Sequence, residues 1–186
     1  MVMAIHPPEE RIWWNEKLGK DELIWIAIAF LWGVIMFSMM IYWHIYGQQN
    51  LSTTAYRIDP SAFEAKTEAF AEKFQVREEG DTGIPVVRPP AGGDIYMLAR
   101  LWQFWPVLEL EKGESYRLHL SSMDYQHGFS LQPVNINIQV HPFIEHVLTL
   151  TPTETGTFSV VCNEFCGIGH HTMIGRIHVV EKGAAR

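Results

Sequence analysis

The sequence predicts a mainly β protein: a Greek-key β-sandwich carried behind one N-terminal transmembrane helix. Three observations predict it. No Asp, Glu, Lys or Arg occurs between Glu22 and Arg57. An apolar rhythm of period two begins near Asp94 and runs almost to the C-terminus. The only two cysteines of the chain fall in one short segment between the last two stretches of that rhythm.

The uncharged gap holds the first element. Leu23 to Tyr46 reads LIWIAIAFLWGVIMFSMMIYWHIY. At ~1.5 Å per residue this run reaches about 36 Å, enough for a hydrocarbon core of about 30 Å. Trp13 and Trp14 precede it, and Tyr42, Trp43 and Tyr46 close it, as interfacial aromatics do. The run is too long and bulky for the apolar core of a cleavable signal peptide, and no small-residue exit follows it. Residues 1–22 are then an N-terminal cytoplasmic segment and 23–46 the span. Arg11, Lys17 and Lys20 on one side, against Arg57 and Lys66 on the other, favour a cytoplasmic N-terminus and an exported remainder. His44 reads as an interfacial residue.

Residues 47–93 read as a connector with a short helix. Asp59-Pro60-Ser61 marks a helix start, and Phe63, Ala69, Phe70 and Phe74 give the helix an apolar side as far as Phe74. That side suits either a membrane or partner surface or a solvated connector. Gly80 to Gly93, rich in Gly and Pro, reads as a loop.

Residues 94–186 form the β domain. Tyr116, Leu118 and Leu120 alternate with polar residues, as do Val134, Ile136, Ile138 and Val140 with Asn135, Asn137 and Gln139. Further strands end at Val161 and run from Ile174 to Val180. About seven short strands suggest a Greek-key sandwich with the cysteine segment as a loop at one end. With 47% hydrophobic and 19% charged residues the chain is not disordered, and a net charge of −7 argues against nucleic acid while permitting a basic partner.

The chemistry lies in Cys162-Asn-Glu164-Phe-Cys166-Gly-Ile-Gly-His170-His171-Thr-Met173. Two nearby cysteines in an exported domain commonly form a disulfide, but a disulfide needs neither the histidine nor the methionine. Two thiolates, an imidazole and a thioether are soft ligands of the kind copper prefers. A distant histidine, in Ser122-Met-Asp124-Tyr-Gln-His127-Gly-Phe129, completes two Cys, two His and one Met. That is one thiolate more than a mononuclear blue-copper site uses. Two thiolates can bridge two coppers with one histidine on each, leaving Met173 and a carbonyl of the Cys162–Cys166 turn as weak axial ligands. On composition alone His170 or His171 serves. Asp124, three residues before His127, is placed to hold that strand end. His119, His141, His146 and His178 lie on or beside strands and read as structural.

Together these motifs, C-x-E-x-C-G-x-x-H-x-x-M after S-x-D-x-x-H-G-F, resemble the copper A subunit, subunit II, of cytochrome c oxidase. The resemblance spans the order of the chain from anchor to cysteine loop. It implies a cupredoxin-like domain and a dinuclear copper A centre of two ions. Cys162 and Cys166 would bridge, His127 and His170 would each ligate one copper, and Met173 and the Glu164 carbonyl would be axial. It also implies that the run Arg100-Leu-Trp102-Gln-Phe104-Trp105-Pro106 supplies an aromatic patch that receives electrons, Trp102 first, with Phe104 and Trp105 behind; core packing is the other use for these rings. The implied partners are cytochrome c or a similar donor, membrane lipid and a haem-containing subunit I that reduces oxygen to water and translocates protons. The place is a bacterial or archaeal plasma membrane, with the copper domain on the outer, periplasmic side. In two-helix relatives the equivalent Glu side chain also touches magnesium at the subunit I interface, which makes magnesium a second candidate cofactor. The single helix matches the short B-type oxidases, whereas Glu164 stands where those often carry Gln, and His141-Pro142-Phe143 where relatives usually turn on Pro-Gly. Other readings of the same residues are a nitric oxide reductase subunit, a membrane-anchored copper carrier and a disulfide-bearing structural subunit.

Overall fold

The computed structural model describes residues 18–47, 53–134 and 136–183. Trp13, Trp14, Arg11, Lys17 and Asn135, used in the expectations above, lie outside the described residues. The chain divides into two compact units, residues 1–50 and 51–186.

The first unit contains helix α1, Lys20–Tyr46. Its 27 residues extend about 40 Å at ~1.5 Å each. Glu22 turns back to accept a hydrogen bond from the Gly19 N–H at 2.7 Å, closing the first turn. Every residue of α1 is exposed, including Trp25, Phe30 and Trp32. A helix apolar on all sides and exposed along its length is suited to lipid.

The second unit is a two-sheet sandwich. One sheet has the order β1-β10-β7-β4-β5, built from Thr54–Arg57, Ile144–Leu150, Tyr116–Ser122, Asp94–Arg100 and Gln103–Trp105. The other has the order β2-β3-β6-β12-β11-β8-β9, built from Gln75–Glu78, Pro85–Val87, Val107–Glu111, Ile174–Val180, Gly156–Val161, His127–Leu131 and Ile136–Val140. The alternation in β7 buries Tyr116, Leu118 and Leu120 as expected. Facing them across the sandwich are Phe129, Val140, Val160 and Ile177. In β9 the buried positions are Ile136 and Val140, whereas Val134 precedes the strand and is exposed.

The segment 47–93 does more than connect. Helix α2, Pro60–Phe74, starts where Asp59 and Pro60 predict; the Asp59 carboxylate accepts from the Ser61 N–H at 3.0 Å. Its buried face, Phe63, Thr67, Phe70 and Ala71, covers its own sandwich: the Tyr96 ring of β4 lies 6.1 Å from Phe63 and 5.5 Å from Phe70. Apolar residues at helical spacing specify that a face must be covered, without specifying by what. The expected loop 80–93 contains β3, which pairs parallel with β6. Three residues are too few for a visible alternation, so the strand was hidden. Glu109 of β6, 5% exposed, holds this corner by accepting from Arg77 at 2.8 Å and Arg88 at 2.6 Å. A buried carboxylate survives only when paired in this way.

Phe63→Ala should cost about 3 to 5 kcal/mol and lower the melting temperature of the chain in detergent, because the site is sealed on all sides. A pH effect is expected at Glu79. Burial alone would push its carboxyl up, but hydrogen bonds and charge from His178 and Arg176 outweigh that and hold it below the ordinary range. A depressed carboxylate stabilises the fold above its unfolded pKa of about 4.3, and that contribution is lost as pH falls through the lower folded value. Melting curves from neutral to acid pH should therefore fall less steeply for Glu79→Gln than for the parent, from a lower starting point.

Candidate metal centre

Strands β11 and β12 are antiparallel, with Val161 opposite Ile174. The segment 162–173 must therefore leave and return at one point. The Cys162 N–H donates to the Met173 carbonyl at 3.2 Å and closes the loop. Within it, Gly167 adopts φ 116°, a region few side chains tolerate, and a short 3-10 turn covers His170–Thr172.

The loop brings its soft side chains together. Cys162 and Cys166 are buried free thiols whose sulfurs are 3.7 Å apart. The His170 Nδ1 and the Met173 Sδ each lie 3.7 Å from the Cys166 Sγ. The Glu164 carbonyl accepts from the Cys162 thiol at 3.2 Å. His127, at the head of β8, arrives from the neighbouring strand; its ligand nitrogen and the two sulfurs lie within 4.8 Å of one another. His171 points outward and is exposed.

The histidine geometry is asymmetric. His127 is fully buried, and its Nε2 donates to Asp124 Oδ1 at 2.8 Å. With that proton on Nε2, Nδ1 carries a lone pair, and it is buried without a hydrogen-bond partner among the described residues. A buried acceptor left free among the described residues, beside two thiols, fits a metal. Burial pushes the Cys166 thiol up to about 11, with the hydrogen bond and charge of Cys162 adding to the shift. A cation must therefore displace protons to bind thiolate here. For Asp124, burial alone would raise the pKa, but hydrogen bonds from His127 and from the Leu101 and Tyr125 N–H groups hold it below the ordinary range. Its Oδ2 accepts from Leu101 at 2.7 Å, tying the histidine to the aromatic segment.

Trp102 lies on this loop. A Cβ built on Gly169 would sit 2.2 Å from the indole, so the ring occupies the space a side chain would need. It remains 40% exposed, in a surface depression with Leu101, Tyr125, Phe165 and Cys166. Phe104 is buried, with Phe129 at 6.0 Å between centroids. Trp105 is half-buried, with the Arg100 guanidinium 5.5 Å from its ring centre. The remaining strand histidines stay out of the cluster: His119 bonds to Glu145 and Asp94, and His178 to Thr157 and Glu79. His146 keeps an unpartnered buried Nε2, and burial followed by the charge of His141 pushes its pKa down. The reading from sequence missed the glycine seat of Trp102; the C-G-x-G spacing was its only signal.

A two-sheet sandwich with a soft donor cluster at one end, on a chain with a membrane-length helix, has the make-up of a cupredoxin-like metal-binding protein. No protein-family model matches the chain. It is 32% identical over 111 residues to cytochrome c oxidase subunit 2 of Thermus thermophilus, covering 57% of this chain and 82% of that protein. A probable cytochrome c oxidase subunit 2 of Streptomyces avermitilis is 31% identical over 133 residues, 66% of this chain and 39% of that one. A chain of a heme-copper terminal oxidase dimer shares the fold, with a TM-score of 0.56 and 23% identity, over 87% of this chain and 100% of that chain. The chain belongs to the cytochrome c oxidase subunit 2 family.

Asp124→Ala should leave the fold intact and weaken copper retention against a competing chelator by about 10- to 100-fold, the usual cost of losing the group that orients a metal-bound histidine.

Proposed function

We propose that this chain is the subunit through which electrons enter a haem-copper oxidase, at a dinuclear copper A centre. One observation carries the reading: two free thiols 3.7 Å apart are flanked by His170 and Met173, and by a buried His127 nitrogen with no hydrogen-bond partner among the described residues. Cys162 and Cys166 would hold the coppers through their thiolates, His127 and His170 through one imidazole each, and Met173 and the Glu164 carbonyl as the weaker donors; the metal would supply one-electron storage on soft thiolates.

The chain's own residues do the rest. The buried ligands exclude water and fix donor positions before the metal arrives. Asp124 holds the His127 ring with its lone pair inward. Trp102, exposed on one side and seated on the Cys166–His170 backbone on the other, is the contact for cytochrome c or a similar donor. Exposed Leu101, Tyr125, Phe165 and Ile168 surround it with apolar surface. Phe104 and Trp105 support that segment from behind. The acceptor is haem in subunit I, where oxygen is reduced to water with proton translocation. We place the N-terminus in the cytoplasm and the copper domain outside, α1 serving as the anchor. Magnesium at the interface with subunit I would have to share a Glu164 carboxylate whose Oε1 already accepts from Gln139 at 3.0 Å.

The copper-loaded chain should show a near-infrared mixed-valence band and a copper hyperfine pattern spread over two equivalent nuclei. Cys162→Ser should lose both; a variant that keeps them overturns the dinuclear assignment. Trp102→Ala should leave both signals in place and slow reduction by the donor in stopped-flow mixing.

A further inference from the structure

Asn163 and Glu164 follow Cys162 into the turn, and their side chains find partners outside the loop that contains them. Asn163 Nδ2 donates to Asn137 Oδ1 at 3.0 Å, and Gln139 Nε2 donates to Glu164 Oε1 at 3.0 Å. Asn137 and Gln139 are the outward-facing positions of β9, an edge strand of its sheet. Strand β8 lies between β9 and the loop, and Gly128 is what lets the loop cross it. Gly128 pairs with Gln139 across the ladder, so a side chain at 128 would stand beside that of Gln139. A Cβ there would fall 2.0 Å from Asn163 Oδ1, 2.8 Å from the Glu164 N and 2.9 Å from the Asn163 N. The backbone of the cysteine turn thus rests directly on β8, and two side-chain hydrogen bonds fasten it to β9.

We propose that Asn137 and Gln139 are positioning residues for the metal centre. Through Asn163 and Glu164 they set the orientation of the Glu164 carbonyl, which lies 3.2 Å from the Cys162 sulfur, and so tune a centre to which they are not ligands. The role of that carbonyl rests on the copper reading above; the clamp itself does not. A weak axial donor is the ligand most easily moved by its surroundings, and small changes in it alter the redox potential. The Glu164 carboxylate acts here as a hydrogen-bond acceptor, and its charge is incidental.

The test uses the full chain in detergent, copper-loaded, with potential and hyperfine pattern read by spectroelectrochemistry and EPR, and copper loss read against a chelator. Gln139→Ala and Glu164→Ala should each shift the potential and hyperfine pattern, and speed copper loss by about tenfold. The double variant should match either single one, since both remove the same bond. Glu164→Gln, whose amide oxygen still accepts from Gln139, should stay near the parent. Gly128→Ala, which lifts the turn, should shift the signals at least as far as Gln139→Ala. An unshifted Gln139→Ala, additive single effects, or a Glu164→Gln as altered as Glu164→Ala would overturn the clamp. Amide hydrogen exchange at 163–165 in the metal-free chain separates this from the copper reading. A parent chain with no dinuclear signal overturns only that reading, while faster exchange at these amides in Gln139→Ala still supports the clamp and unchanged exchange overturns it.

Discussion

The pairing of Val161 with Ile174 is the constraint on which the donor cluster depends. Two antiparallel neighbours must be joined at their common end, so twelve residues fold over a few ångströms of sandwich edge, closed by the bond from Cys162 to Met173. The first and last side chains of the loop are then forced toward each other and toward the core. Residues seven and eleven apart in sequence meet because the ladder on either side allows nothing else. The same sheet sets β8 beside β11, with Ser130 opposite Val161. That places His127 within reach of both sulfurs without any contribution from the loop.

Burial gives this arrangement its chemistry and also its cost. Cys162, Cys166, Met173 and His127 all lie inside the sandwich end, where polar atoms are expensive unless paired. Asp124 satisfies one His127 nitrogen and leaves the other bare. The raised pKa of Cys166 has the same origin: a thiolate is disfavoured where water is absent and a second thiol is near. An unpaired imidazole nitrogen beside two buried thiols is a donor set suited to a soft cation. Around it, Trp102 rests against Gly169 on one side, and Asn137 and Gln139 of β9 bond to Asn163 and Glu164 on the other.

How much of this was legible in sequence differs between elements. The span, α2, β7, β11 and β12 were readable because each depends on local chemistry: charge, a capping Asp-Pro pair, or apolar alternation. Strand β3 was not, because three residues carry no period. The partner of α2 was not, because an apolar face is indifferent to what covers it: the sequence suited a membrane or partner surface as well as a solvated connector, and the face packs on β4 of its own sandwich. The ligand candidates were visible as residue types at fixed spacing. Gly128, Asn137 and Gln139 were invisible, since a glycine in a strand and two polar residues on an outward face look like ordinary β-sheet.

By itself the sequence determined which atoms could bind metal and that one apolar helix precedes them, since donor softness and hydrophobicity belong to single residues and short runs. Only the tertiary structure decided which histidine nitrogen faces the sulfurs, where Trp102 rests and what fastens the cysteine turn. Those depend on strand neighbours far apart in sequence, and strand order is fixed by the packing of two whole sheets.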